Sequence, residues 1–214
     1  YFKGGTCAAM LGWLDRFSID LDFDYVGGDA HMAKTRAAME AVFRKLGMTI
    51  HDKSTTAPQY FLKYPSKPGE RNTLKIDATF PPPSANRYEP RRFREIDRII
   101  TCQTIETMFA NKLAAVTDRY AKTDAIAGRD IYDVHYFFTH GVRYDTAVLE
   151  ERTGMGARQA LESLRQFLAE RVTDTILVQD LNTLLPYPQF RALRATLKQE
   201  TLLMLTHEMN RLGA

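Results

Sequence analysis

Apolar and polar residues alternate strictly from Ile19 to Val26. Ile19, Leu21, Phe23 and Tyr25 fall on one side and Asp20, Asp22 and Asp24 on the other, the period-two signature of a strand. Upstream, Gly4-Gly5-Thr6 opens a stretch in which Cys7, Met10, Leu11 and Leu14 recur at helical spacing. Gly27-Gly28-Asp29 closes the strand. A helix is predicted over 30–46, with Met39, Val42, Phe43 and Leu46 on one stripe and Gly47 as its C-cap. Residues 48–51, 58–64 and 73–80 read as further strands. The turn-like run Pro65 to Asn72 makes the last two a hairpin. Pro81-Pro82-Pro83 breaks regular structure, and 84–100 reads as a basic, loop-rich segment carrying Arg87, Arg91, Arg92, Arg94 and Arg98.

From Thr104 the period becomes helical. Helices are predicted over 104–120, 129–139, 144–152, 156–170 and 188–211, with Pro186-Tyr187-Pro188 before the last. The expectation is an α+β chain, with a small α/β core over 1–100 and a helical domain over 101–214. The chain starts at Tyr1 and is within a motif by residue 4, so a preceding N-terminal segment is expected.

Composition adds limits. With 214 residues, 44% hydrophobic and 26% charged, the chain reads as globular rather than disordered or fibrous. No run approaches the ~20 apolar residues of a membrane span. Two cysteines, Cys7 and Cys102, suit a reducing compartment and make neither a disulfide framework nor a four-ligand zinc site. A net charge of +3 permits a polyanionic partner without demanding one.

Candidate chemistry centres on Asp20-Leu21-Asp22. On a strand these carboxylates project the same way, roughly 6.6 Å apart, and repel by about 2.5 kcal/mol at an effective dielectric near 20. A hard divalent cation turns that repulsion into a site; a solvent-facing strand edge tolerates it equally. Asp77, on a later strand, would complete a carboxylate triad. Gly4-Gly5-Thr6 before a helix suits a phosphate, although such a segment alone is more often a turn. Ser18 lies near the acids, and Arg16 would pair with them or stay on the surface. Lys112 and Arg119 stand two helical turns apart on one face, suited to a triphosphate or to solvent. Arg129 and Asp133 are spaced to pair with each other. The five histidines show no ligand or triad spacing. Arginines 87–98 interleave with Tyr88 and Phe93, a composition that suits RNA or a solvated loop.

The acid–glycine pattern resembles that of the nucleotidyltransferase superfamily. Fourteen residues, 6–19, separate Gly5 from Asp20, which implies a longer first helix or turn. Phe2-Lys3-Gly4-Gly5-Thr6, then Arg16-Phe17-Ser18-Ile19-Asp20-Leu21-Asp22-Phe23, closely resembles the AbiEii/AbiGii toxin-type nucleotidyltransferases, with which the MenT-type toxins belong. Ala110-Asn111-Lys112-Leu113 with Arg119 resembles that family's lysine-bearing helix. Gly128-Arg129-Asp130-Ile131-Tyr132-Asp133 resembles its Arg-Asp-x-x-Asp motif.

The resemblance implies a mixed nucleotidyltransferase sheet followed by a helical region, and a cytoplasmic, metal-dependent enzyme of a toxin–antitoxin or abortive-infection system. It implies Mg²⁺ or Mn²⁺ at Asp20, Asp22 and Asp77, with Asp20, Asp22, Lys112 and Asp130 catalytic. Gly4, Gly5, Thr6, Ser18 and Arg119 would bind the nucleotide. The partners implied are an NTP (GTP or a pyrimidine nucleotide), a tRNA 3′ end and a cognate antitoxin protein, with no membrane. Two other readings compete. One is a small-molecule, antibiotic-type nucleotidyltransferase. The other is a nucleotide- or partner-binding module without turnover.

Overall fold

A computed structural model of the chain describes residues 1–213. It divides into two compact units. The first comprises Tyr1–Leu11, Ser18–Pro82 and Tyr88–Gln103; the second comprises Gly12–Phe17, Pro83–Arg87 and the chain from Thr104 onward.

The first unit is built on a seven-stranded mixed sheet: β1 (Phe2–Lys3), β2 (Leu21–Asp24), β3 (Thr49–Lys53), β4 (Tyr60–Lys63), β5 (Thr73–Thr79), β6 (Tyr88–Phe93) and β7 (Arg98–Gln103). Their spatial order is β3-β4-β5-β2-β1-β7-β6. The pairs β2/β5 and β1/β7 are parallel and the other four antiparallel. The expectation of an α+β chain with a mixed sheet is therefore met. One sheet face is apolar: Tyr60, Leu62 and Ile76 are buried with Phe43, and Leu21, Phe23 and Leu74 pack against them. Helix α2 (Asp29–Lys45) lies over that face through Phe43 and Met39. Its predicted stripe is only half used, since Val42 is 51% and Leu46 61% exposed. Alternation places the charged residues of β1, β2 and β5 on the opposite face.

Several element boundaries depart from expectation. Helix α1 covers only Gly4–Met10, because Gly12 adopts a left-handed backbone (φ +72°) just past its end. The interval between Gly5 and Asp20 is thus a longer turn, one of the two forms expected, and not a longer helix. Residues 12–17 leave the sheet unit and pack with the helices. The strand predicted over 19–26 narrows to Leu21–Asp24. The basic segment is not a loop but the β6–β7 hairpin, paired from Tyr88↔Gln103 to Phe93↔Arg98. Its period was hidden because exposed Pro90, Arg91 and Arg92 fill the middle of β6, and β7 sets exposed Ile99 beside half-buried Ile100.

The second unit holds α3 (Ile105–Thr123), α4 (Gly128–Thr139), α5 (Thr146–Thr153), α6 (Ala157–Arg171), α7 (Asp174–Leu181), α8 (Tyr187–Leu193) and α9 (Leu197–Gly213). Helix α3 packs on α4, α5 and α6, and α4 packs on α7 and α9. Thr104 caps α3 by accepting from the Thr107 N–H. Helix α7 was not anticipated, and the single helix expected over 188–211 is two, broken at residues 194–196. Among the described residues, no helix is long and apolar enough to cross a membrane.

Candidate active site

Within the sheet unit, strand register gathers the predicted acids. Asp22 lies beside Asp77 across the parallel β2/β5 pair, and Lys3 lies beside Asp22 across β1/β2. Partners in register project to the same face, so Lys3, Asp22, Asp24, Asp77 and Thr79 share one polar surface. Asp77 accepts from Gln59 Nε2 at 2.7 Å and pairs with Lys75. Asp20 stands just before β2 with Arg71 Nη2 at 3.5 Å. Asp20 and Asp77 both keep partly exposed side chains.

Gly4 and Thr6 fix the approach to those acids. Gly4 has φ +79°, and a Cβ there would lie 2.3 Å from Asp22 Oδ2. Only glycine fits, because the carboxylate sits directly against this backbone. The Thr6 hydroxyl bonds the Asp20 carbonyl at 2.5 Å and Ser18 Oγ at 3.1 Å. These two hydroxyls thus hold the entry to β2. Lys3, the N-cap of α1, contributes no side-chain cap, so the first-turn N–H groups of Gly4, Gly5 and Thr6 have no partner from the cap.

Asp24 behaves differently from Asp22, two residues earlier on the same face. It is buried, and accepts from Lys3 Nζ at 2.6 Å, Tyr88 Oη at 2.8 Å and Gln103 Nε2 at 2.6 Å. Lys3 Nζ also donates to Thr79 Oγ1 at 2.6 Å. Asp24 is a saturated structural acid that fastens β1, β2, β6 and β7 together.

The helical unit brings the later motifs together. Lys112 Nζ lies 2.7 Å from Asp133 Oδ2 and 3.8 Å from Asp130 Oδ1. Arg119 Nε donates to Asp130 Oδ2 at 2.9 Å. Arg16 is buried rather than on the surface. It makes a bidentate fork to Asp133, Nε to Oδ1 at 2.5 Å and Nη2 to Oδ2 at 2.7 Å. Asp133 therefore pairs with Arg16 and Lys112 rather than with Arg129. Burial pushes the Asp133 carboxyl up, but Lys112 and Arg16 outweigh it and hold the group below the usual carboxylate value. Gly128 opens α4 where α7 crosses closely: an added Cβ would lie 3.1 Å from Leu177 Cα, and the Gly128 N–H donates to Asp180 at 2.8 Å. His135 is buried, with Nε2 2.6 Å from Glu200.

Sequence reasoning thus missed Asp133 and Arg16 as site neighbours. They are 117 positions apart, beyond any spacing rule; only their membership of the two family motifs pointed to them. The predicted acid triad is assembled in part. Asp22 and Asp77 adjoin, but among the described residues no three Asp, Glu, His or Cys side chains are gathered as a metal-binding group.

A family model described as "Nucleotidyl transferase AbiEii toxin, Type IV TA system" matches residues 1–203. A crystallised H. pylori protein assigned to the nucleotidyltransferases superposes with a TM-score of 0.52 at 19% identity, over 99% of this chain and 88% of that one. The H. pylori protein JHP933 gives a TM-score of 0.49 at 20% identity, over 100% and 89%. None of the curated proteins matches.

Proposed function

The chain belongs to the AbiEii nucleotidyl transferase toxin family, and from that premise we propose that it transfers a nucleoside monophosphate from an NTP to the 3′ end of a tRNA. The observation that carries this reading is the Asp22–Asp77 register pair held against a backbone that only Gly4 allows. A cognate antitoxin would neutralise the activity, in keeping with the type IV family.

The donor set fits a hard divalent cation. Asp22 and Asp77 offer oxygen ligands on adjoining strands, with Asp20 at the strand entry. Mg²⁺ or Mn²⁺ bound there would supply Lewis-acid neutralisation of the triphosphate and lower the pKa of the acceptor hydroxyl. Gly4, Gly5 and Thr6 present their backbone N–H groups to the phosphates, while the Thr6 hydroxyl and Ser18 hold Asp20 in place. Lys112 is assigned the charge on the leaving pyrophosphate by its family motif, and Arg119 a phosphate contact by the same motif. Asp133, with Asp130, holds the Lys112 ammonium in place.

The test is incubation with Mg²⁺, total tRNA and each of the four α-labelled NTPs in turn. Label in RNA with one or two nucleotides is the expected result, and it names the nucleotide. Absence of label with all four, in a folded protein that binds NTP, would contradict the acceptor assignment.

A further inference from the structure

One aromatic side chain on the polar sheet face has no role in the core. Along β4, Tyr60 and Leu62 are buried on the apolar face, whereas Phe61 turns the other way and is 45% exposed. Its register partner on β5 is Lys75, whose Nζ lies 5.9 Å from the Phe61 ring centroid. Lys75 in turn pairs with Asp77, the neighbour of Asp22. Lys63 follows two residues along β4 on the same face and is exposed, and the Arg71 side chain is 52% exposed beside Asp20. An open ring bordered by cations is the arrangement that stacks a nucleobase and takes its phosphates.

Strand order gives the platform a side. β1, which leads directly into Gly4-Gly5-Thr6, borders β2 on one flank; β5 and then β4 border it on the other. Phosphoryl transfer is in line, so the attacking hydroxyl and the leaving pyrophosphate lie on opposite sides of the α-phosphorus. If the glycine segment holds the triphosphate, as proposed above, the acceptor enters from the β5–β4 flank. Two strand spacings, about 10 Å, separate β4 from β2, a gap that the terminal nucleotides of an extended strand can bridge.

We infer that Phe61 is a stacking platform for a base near the single-stranded end of the acceptor RNA, with Lys63, Lys75 and Arg71 facing its phosphates. The inference rests on the reading of Gly4–Thr6 as the triphosphate side. Phe61 acts on the acceptor and not on the incoming NTP.

The test uses the full chain and a fluorescent single-stranded RNA hexamer, titrated by anisotropy, beside an otherwise identical abasic hexamer. In Phe61→Ala the dissociation constant for the hexamer should rise about tenfold, the order expected for loss of one stacked base. Phe61→Trp should restore it. The abasic strand should bind wild type and Phe61→Ala alike, and NTP affinity should stay within about twofold. Unchanged hexamer affinity in Phe61→Ala would overturn the inference, as would failure of the wild type to bind the hexamer or a loss confined to NTP. Failure of labelled transfer by the wild type would instead count against the proposed reaction, because the hexamer comparison needs no turnover.

Discussion

The two units treat their carboxylates in opposite ways. In the helical unit, Asp133 and Asp130 are almost wholly buried, and each meets protein cations: Arg16 and Lys112 for the first, Arg119 and Lys112 for the second. On the sheet, Asp20 and Asp77 remain partly exposed, and the cations beside them are themselves open to solvent: Arg71 at 3.5 Å from Asp20 and Lys75 beside Asp77. The contrast recurs within β2 itself, where Asp24 is buried among three donors and Asp22 stays half-buried on the open face. Acids neutralised by the chain stabilise it. Half-exposed acids at close spacing, although Arg71 and Lys75 approach two of them, still gain from an external cation.

The largest effect that would break this contrast lies in the helical unit. Asp133→Ala leaves Arg16 and Lys112 as buried charges without their shared partner. We expect a stability loss of about 3–5 kcal/mol, read from the denaturant midpoint. Asp22→Ala should do the reverse: transfer slows by two or more orders of magnitude, while the melting temperature holds or rises slightly. Equal destabilisation by both substitutions would erase the distinction.

Gly4→Ala comes next. It combines a left-handed backbone with a clash against Asp22. A cost of about 1–3 kcal/mol is expected, together with a loss of transfer, measured by melting and by labelled-nucleotide incorporation. The pH dependence of stability then tests Asp133. The Asp133 carboxyl is held below its ordinary value, so the folded state binds that proton more weakly than the unfolded chain. The stability it contributes is complete above about pH 4 and is lost as pH falls through the lower folded value. In acid titrations followed by circular dichroism, Asp133→Asn should lose less stability than wild type over that window. The smallest effect is at Lys75–Asp77, a half-exposed pair; Lys75→Ala should change stability by less than about 1 kcal/mol.

Some of this was legible in the chain. The alternation through Asp20 and Asp22, the hairpin of β4 and β5, and the α3 and α4 helices follow from periodicity alone, because each buries one face. The β6–β7 hairpin was not legible: Ile99 and Ile100 are adjacent rather than alternating, and the exposed arginines of β6 imitate a loop. Phe61 looks like any apolar residue in a strand pattern, and only pairing shows which way it turns. The Arg16–Asp133 fork was unreadable for another reason. Local spacing offered Arg129 to Asp133 at one helical turn, but a buried bidentate contact from a distant segment prevailed. Asp22 and Asp24 are indistinguishable as sequence, since their difference lies in donors supplied from β1, β6 and β7.

The central claim is that the accessible sheet carboxylates, not the buried helical ones, carry the chemistry. The direct measurement is the single-turnover rate of labelled nucleotide transfer to tRNA, per folded molecule, for wild type and Asp22→Ala at saturating Mg²⁺. The account predicts a fall of at least about a hundredfold with an unchanged unfolding curve. A folded Asp22→Ala protein that transfers at the wild-type rate would contradict it.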